Sequence, residues 1–164
     1  MRKIIVSEFI TLDGVIQAPG GKDEDTDGGF VHDGWTWPYW HDDIGAHFDQ
    51  AMQQADMLLL GRKTWQIHGG AFEPMPPGDP FGDVMNAVRK VVVSTTLPSA
   101  DAWRNSTLIR GNVVDEVRRL KEQPGKHILI DGSSVLIHTL AENDLVDEYW
   151  LHVYPLVLGS GKRL

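Results

Sequence analysis

One short stretch of the chain joins a strand-like apolar run to residues that can hold an anion. The run Met57–Leu60 ends at Gly61, and Arg62, Lys63 and Thr64 follow directly. Glycine lets a backbone approach a ligand closely, threonine is suited to cap a following helix, and free N–H groups at a helix start attract phosphate. The two cations add fixed positive charge. By itself the stretch fits a phosphate site and an ordinary strand-to-helix turn equally well.

Three other places offer similar groups. Ser94 and Thr95 close a second apolar strand pattern with hydroxyl groups, and Arg110 closes a third. A further strand pattern runs into a glycine-serine junction, where N–H groups and hydroxyls can meet a pyrophosphate. Turn and capping chemistry are the commoner uses of such hydroxyls. The residues of that junction are Asp131, Gly132, Ser133 and Ser134.

Candidate acids lie on the helix pattern that precedes the first junction. Ile44, Phe48 and Met52 recur at three- and four-residue steps, which predicts an amphipathic helix. Asp49 falls on the flank of the apolar stripe and Asp43 near the helix start, where a carboxylate can reach a pocket and relay a proton. Helix capping is the alternative role of Asp43.

A long irregular segment, Pro19 to Tyr39, is typical of a functional or mobile loop. Its acids Asp23, Asp25 and Asp27 match the first half of a calcium loop, but Gly34 stands where the bidentate glutamate should be. A solvated acidic loop is favoured, so no metal site is predicted, and a calcium-responsive interaction protein is kept as a rival function.

Large rings cluster near the end of this loop. Trp35, Trp37, Tyr39 and Trp40 fall within six residues. Such rings can wall a pocket for a flat heterocycle, form a dimer contact or pack in the core. Trp40 is the ring we expect to touch a substrate.

Composition narrows the class of protein. A chain of 164 residues is the size of one domain, so residues 1–164 are predicted to form a single unit. The absence of cysteine excludes disulfides and thiolate metal sites and favours a cytoplasmic location. The formal charge of −8 opposes nucleic-acid binding, and no apolar run approaches the roughly 20 residues that span a bilayer.

Strand patterns alternate with helix patterns, which predicts a mostly parallel sheet between helical layers. The first strand pattern, Lys3 to Ile10, is apolar at consecutive positions and is typical of a strand covered on both faces. The last pattern, Leu145 to Leu158, contains Pro155, which indicates an edge strand or a bulge.

Taken together, these pieces resemble the dihydrofolate reductase superfamily. The closest likeness is to the C-terminal reductase domain of the bifunctional deaminase-reductase of riboflavin biosynthesis. The resemblance implies a three-layer α/β/α fold, a mostly parallel central sheet with an antiparallel C-terminal edge, NADPH as cofactor and a homodimer. In that family, further terminal strands follow the position of Leu164. The motifs that carry the likeness are Thr11–Ile16, Gly61–Trp65, Val91–Ser94, Ile130–Ser133, Leu145–Glu148 and Gly159–Gly161.

The resemblance also implies roles for single residues. Gly61 to Thr64 would hold the adenosine-side phosphates, with Arg62, Ser94 and Thr95 at the 2′-phosphate. The second junction would lie on the pyrophosphate through Gly132, Ser133, Ser134 and Val135. The loop beside the nicotinamide would be lined by Leu12, Asp13, Gly14 and Ile16, and Ser7 and Phe9 would face the substrate. The family's paired glycines are replaced here by Asp131-Gly132, which places a carboxylate beside an anion site.

These observations predict an NADPH-dependent reductase that transfers hydride to a heterocyclic or ribosylaminopyrimidine-type substrate. The acid that folate reductases use has no clean match, because ungapped counting back from Gly61 lands on Gly45. A pterin reductase and a non-catalytic NADP-binding module therefore stay open as alternatives.

Overall fold

Apolar runs of strand length form the centre of the protein, described for residues 1–164 by a computed structural model. All neighbouring strands pair in parallel, in the order β4-β3-β2-β5-β1-β6. The strands are β1 (Ile4–Thr11), β2 (Ala55–Gly61), β3 (Arg89–Val93), β4 (Ser106–Ile109), β5 (His127–Ile130) and β6 (Glu148–Tyr154).

Helices cover both faces of the sheet, which confirms the predicted three-layer α/β/α fold. None of the helices is long and apolar enough to cross a membrane. The helices are α1 (Asp42–Gln54), α2 (Arg62–Phe72), α3 (Pro80–Ala87), α4 (Val113–Glu122) and α5 (Ser134–Ala141).

Alternation along the strands divides the core in two. In β1, Ile4 and Val6 pack with residues of α4 and α5, whereas Ile5 packs with residues of α1, α2 and α3. Each cluster contains 13 buried residues, so the sheet is apolar on both faces, as consecutive apolar residues in β1 and β2 indicate. This packing holds the carboxyl ends of the parallel strands at one edge.

The edge strand β6 departs from the expectation. It runs parallel to β1, from Ile5 opposite Glu148 to Thr11 opposite Tyr154, so the predicted antiparallel C-terminal edge is wrong for this strand. The reason is that α5 returns the chain to the end of the sheet where β1 begins. Antiparallel pairing is limited to an isolated bridge between Val15 and Arg163. The edge position indicated by Pro155 is confirmed.

A smaller cluster anchors the long loop to the end of β1. Trp35 packs edge-on against Tyr154 with ring centroids 5.2 Å apart, and its indole N–H donates to the Gln17 carbonyl. The Gln17 amide in turn donates to the carbonyls of Asp25 and Asp27. These bonds hold the loop over the carboxyl ends of the strands.

Candidate functional site

A cleft of about 1200 Å³ lies at the carboxyl ends of the strands. Open parallel sheets bind ligands there, because loops and helix starts converge at that edge. The cleft is lined by the ends of β1, β2 and β3, by the junction after β5, by residues of α1, α2 and α3, and by the start of the long loop.

Two strand-to-helix junctions form one end of the cleft. Helix α2 starts after Gly61 and helix α5 after Ser133, and neither start has a side-chain cap. Their first N–H groups are therefore available to an anion. The predicted capping role of Thr64 is wrong, because the helix begins two residues earlier, at Arg62.

The junctions touch each other. A Cβ added to Gly132, where φ is +69°, would lie 2.9 Å from both Oγ1 and Cγ2 of Thr64. The Ser133 hydroxyl accepts a hydrogen bond of 2.8 Å from the Gly61 N–H. Glycine is required at position 132 because the backbone is left-handed and the facing side chain leaves no room. Ser134 and Val135 complete this wall.

The two cations beside this end, Arg62 and Lys63, differ in whether they form ion pairs. Arg62 is exposed at the cleft, and it takes part in no ion pair. The Lys63 ammonium instead binds Asp27 at 3.0 Å, and Lys162 binds Asp25 and Asp27 at 2.6 and 2.7 Å. Hydrogen bonds from Lys162 and Lys63 lower the pKa of Asp27 to about 2. Asp25 and Asp27 are thus paired with lysines, and Arg62 is left as a cation free to meet a phosphate.

The two hydroxyl groups that follow β3 also differ in their surroundings. The Ser94 hydroxyl accepts from the N–H groups of Thr96 and Leu97, at 3.2 and 3.0 Å, so it shapes its own turn. Thr95 is exposed at the cleft. Arg110 lies outside the cleft lining and donates to the carbonyls of Leu97 and Pro98. Arg110 was predicted to bind a phosphate, but it instead stabilises the loop that contains Leu97 and Pro98.

The turn after β1 is only partly at the cleft. Ile16 lines it, but Leu12, Asp13 and Gly14 do not. Leu12 is 64% exposed. The Asp13 carboxylate accepts from the Thr11 hydroxyl at 2.6 Å and from the Gly159 N–H at 2.8 Å. The Thr11 hydrogen bond, with backbone N–H groups, lowers the pKa of Asp13 to about 2. This carboxylate fastens the C-terminal segment to β1.

The end of β1 faces the cleft through a different pair of residues from those expected. Phe9 lines the cleft as predicted, but Ser7 does not, and Glu8 takes its place. Alternation along a strand predicts that only one of two neighbours faces a given side. Both Glu8 and Phe9 reach the cleft because it extends around the strand end.

The rings of the long loop fall into two groups. Trp35 is 6% exposed and belongs to the core, and Tyr39 packs near Tyr154 with centroids 6.2 Å apart. Trp37 and Trp40 line the cleft, with ring centroids 5.8 Å apart and exposures of 63% and 45%. Phe9 meets Trp40 edge-on at 6.5 Å, so three rings form an aromatic wall.

The two predicted acids are separated by the fold. Asp49 lines the cleft, whereas Asp43 lies outside the lining with its side chain 84% exposed. Asp43 also does not cap α1, because the His41 ring accepts the N–H of Asp43 at 3.3 Å. The first turn of a solvent-facing helix leaves this carboxylate in water.

Another acidic group, absent from the sequence-based prediction, lines the cleft. Glu8 is 4% exposed and its Oε1 is buried without a hydrogen-bond partner. Burial, reinforced by the charge of Asp131, raises the pKa of Glu8 well above its ordinary value, although the Gly132 N–H opposes the shift. A charged residue inside the apolar run of β1 was the sequence signal for this group.

His68 and Asp131 stand together in the same region. His68 Nε2 lies 3.1 Å from Asp131 Oδ2, with the side chains 17% and 32% exposed. Burial by itself lowers the pKa of His68, but the hydrogen bond to Asp131 and the charges of Asp131 and Glu24 raise it overall. Burial also raises the pKa of Glu24, whose carboxylate accepts from the N–H groups of Gly20 and Gly21. This part of the cleft, with Glu8, is called the acidic end below.

The arrangement suits a dinucleotide and a second, flat molecule. The uncapped starts of α2 and α5 with Arg62 fit phosphates, and the close contact of Gly132 with Thr64 holds the two helix starts side by side. The aromatic wall fits a heterocycle, and the acidic end offers groups that can hold protons.

The comparisons with known proteins agree with this geometry. Residues 2–164 match the model of the RibD C-terminal domain family. The chain is 33% identical over 166 aligned positions to the uncharacterized protein YyaP of Bacillus subtilis (strain 168), covering 99% of this chain and 80% of that protein. It is 26% identical to the uncharacterized protein YwjB of the same organism, covering 98% and 80%.

A solved structure shares the fold. It comes from Shewanella sp. PV-4 and has a name that assigns it to riboflavin biosynthesis. The TM-score is 0.62 at 22% identity, with 98% of this chain and 81% of the other covered.

Proposed function

The chain belongs to the RibD C-terminal domain family, and from that premise we propose that it is an NADPH-dependent reductase. Its substrate would be a heterocycle or a ribosylaminopyrimidine with a reducible C=N or C=O bond. The observation that carries the proposal is the meeting of two uncapped helix starts, those of α2 and α5, in one cleft that continues to an aromatic wall. One end fits the phosphates of a dinucleotide and the other a flat substrate.

The phosphate end would hold the cofactor mainly through backbone groups. The N–H groups at the starts of α2 and α5 would bind the phosphates, and Gly132 would let the pyrophosphate approach. Arg62 and Thr95 would meet the 2′-phosphate, because both are exposed at the cleft. Lys63 would contribute only after its pairing with Asp27 is exchanged.

The other end would position the substrate. Phe9, Trp37 and Trp40 offer ring faces and edges to a heterocycle, and Ile16 adds an apolar surface. Reduced nicotinamide would supply the hydride. The protein would orient the two molecules, exclude water and provide a proton.

The proposed enzyme would be a cytoplasmic homodimer. A homodimer would cover the exposed apolar side of β6, where Tyr149, Leu151 and Val153 are 45%, 42% and 59% exposed. A cysteine-free enzyme of this kind would work in the cytoplasm. Sedimentation at several protein concentrations measures the oligomeric state.

Cofactor binding is tested by fluorescence, because Trp37 and Trp40 line the cleft. We expect saturable quenching by NADPH and weaker binding of NADH. If neither dinucleotide binds at millimolar concentration, the proposed function is wrong.

Turnover is tested by NADPH oxidation against a panel of ribosylaminopyrimidines and pterins. Oxidation with a ribosylaminopyrimidine supports the proposal, and oxidation with pterins alone selects the pterin reductase instead. Tight binding of NADPH without oxidation by any member identifies a non-catalytic NADP-binding module.

A further inference from the structure

Glu8 is a buried acidic side chain with an unmet hydrogen-bonding capacity. It lines the cleft, is 4% exposed, and its Oε1 has no hydrogen-bond partner. An ionised carboxylate in such a place is costly without a cation beside it. The charge that raises the pKa of Glu8 is that of Asp131, which has the same sign. Protonation of Glu8 removes both the cost of burying its charge and the repulsion from Asp131.

The neighbouring elements supply no cation that would keep Glu8 ionised through an ion pair. Asp131 follows β5, which pairs with β1, and its carboxylate is directed to His68 on α2 at 3.1 Å. Glu24 in the long loop also acts on His68 rather than on Glu8. On β6, burial lowers the pKa of His152, as does His47 on α1. Burial, the missing partner of Oε1 and the charge of Asp131 therefore all favour the protonated form of Glu8, and they raise its pKa well above its ordinary value.

We propose that Glu8 is the proton donor of the reaction, a carboxylic acid whose O–H binds the nitrogen or oxygen of the substrate's C=N or C=O bond. The inference rests on the proposed function. It names a catalytic acid for that function, for which the sequence offered no clean match. Glu8 and Phe9 are consecutive in β1, and both line the cleft that the aromatic wall borders.

The proton transfer balances with the reduction. As the substrate carbon accepts hydride from reduced nicotinamide, the electron pair of the π bond moves to the nitrogen or oxygen. The O–H bond of Glu8 breaks, the proton joins that atom, and Glu8 becomes a carboxylate. Water returns the proton after product leaves.

The charge of Asp131 also restricts the substrate. This carboxylate, whose charge raises the pKa of Glu8, makes the acidic end unfavourable for a phosphate or carboxylate group. The reacting part of the substrate is therefore neutral or cationic, and any phosphate of the substrate lies away from this end.

Protonation of Glu8 is measured on the free protein by infrared spectroscopy. At neutral pH we expect the carbonyl stretch of a protonated carboxylic acid in the wild type. Glu8→Gln should remove the band, and Glu122→Gln, which changes an exposed residue on α4, should keep it. A band that is absent from the wild type, or that persists in Glu8→Gln, overturns the inference.

Catalysis is measured with the substrate found in the panel. Glu8→Gln should lower kcat by about 10²–10³-fold with little change in KM, because the amide can donate a hydrogen bond but cannot yield a proton. The wild-type kcat should fall as pH rises through the pKa of Glu8, and this limb should vanish in the variant. Turnover of Glu8→Gln at the wild-type rate contradicts the assignment.

Two measurements separate this inference from the proposed function and from misfolding. The Kd for NADPH and the melting temperature of Glu8→Gln should stay near the wild-type values. Failure of the wild type to bind NADPH defeats the proposed function, whatever the infrared band shows. Intact binding with unchanged turnover in Glu8→Gln defeats only the role of Glu8.

Discussion

The two ends of the cleft are built by different means. The end proposed for phosphates, called the phosphate end, consists of backbone at two junctions, each formed by a few consecutive residues around Gly61 or Gly132. The acidic end consists of side chains from β1, the long loop, α2 and the segment after β5, which the fold brings together from distant positions. Backbone sites tolerate changes of side chain as long as the turn survives, whereas the acidic end depends on each side chain and its neighbours.

The largest expected effect comes from adding one methyl group at the phosphate end. Gly132→Ala should destabilise the protein by about 2–4 kcal/mol, because the left-handed backbone is strained and Thr64 must move. It should also abolish NADPH binding by shifting the two junctions apart. Chemical denaturation and fluorescence titration measure the two effects.

Gly70→Ala is the matched control for that substitution. Gly70 lies in α2, and a Cβ there would meet no atom within 4 Å. Alanine should raise the stability by about 0.5–1 kcal/mol, since glycine is unfavourable in helices. If both variants behave alike, the close contact of the junctions does not govern the phosphate end.

A smaller effect separates the two arginines that the sequence placed at phosphates. Arg62→Gln should weaken NADPH binding about tenfold and leave NADH binding unchanged, because we propose that the lost charge meets only the 2′-phosphate. Arg110→Gln should leave both affinities unchanged and reduce stability, since its guanidinium braces the carbonyls of Leu97 and Pro98. Equal losses of NADPH and NADH affinity in Arg62→Gln would remove the assigned role.

The smallest effect probes the acidic end. Asp131→Asn should lower the pKa of His68, followed by NMR of the imidazole, because the hydrogen bond and the charge that raise it are both weakened. A raised pKa stabilises the folded state below the unfolded value of about 6.5, and this contribution disappears as pH rises through the folded pKa. The variant should therefore lose about 0.5–1 kcal/mol at acidic pH and less at alkaline pH.

The opposite pH trend would contradict the pairing of His68 with Asp131. Because His68 is one of 7 histidines, its signal must be assigned with a His68→Gln variant. An unchanged His68 pKa in Asp131→Asn would show that the two side chains are not coupled in solution.

Local patterns predicted the elements better than the contacts between them. The apolar runs of β1 and β2, the presence of a strand-to-helix junction near Gly61 and the edge position of β6 all follow from short-range rules of packing and turns. The direction of β6 did not, because strand direction depends on how α5 crosses the sheet. The expectation of an antiparallel C-terminal edge came from the family likeness, and β6 runs parallel to β1 instead.

The predicted site residues also fall into two groups, those that line the cleft and those that lie outside it. The glycine junctions and Trp40 line the cleft as predicted, but Ser7, Asp13, Asp43 and Arg110 do not. Asp13 and Arg110 have the chemistry for a ligand, yet nearby hydroxyl, N–H and carbonyl groups occupy them. A residue's type indicates what it can bind, whereas its partners in the fold decide whether it remains available.

By itself the sequence determined the two glycine junctions that we propose as the phosphate end, because an apolar strand, a glycine and a helix start are adjacent in the chain and their chemistry is that of the backbone. Only the tertiary structure decided the acidic end. Glu8 and Asp131 are 123 positions apart and meet because β5 pairs with β1. Their protonation depends on burial and mutual charge, and neither exists until the chain has folded.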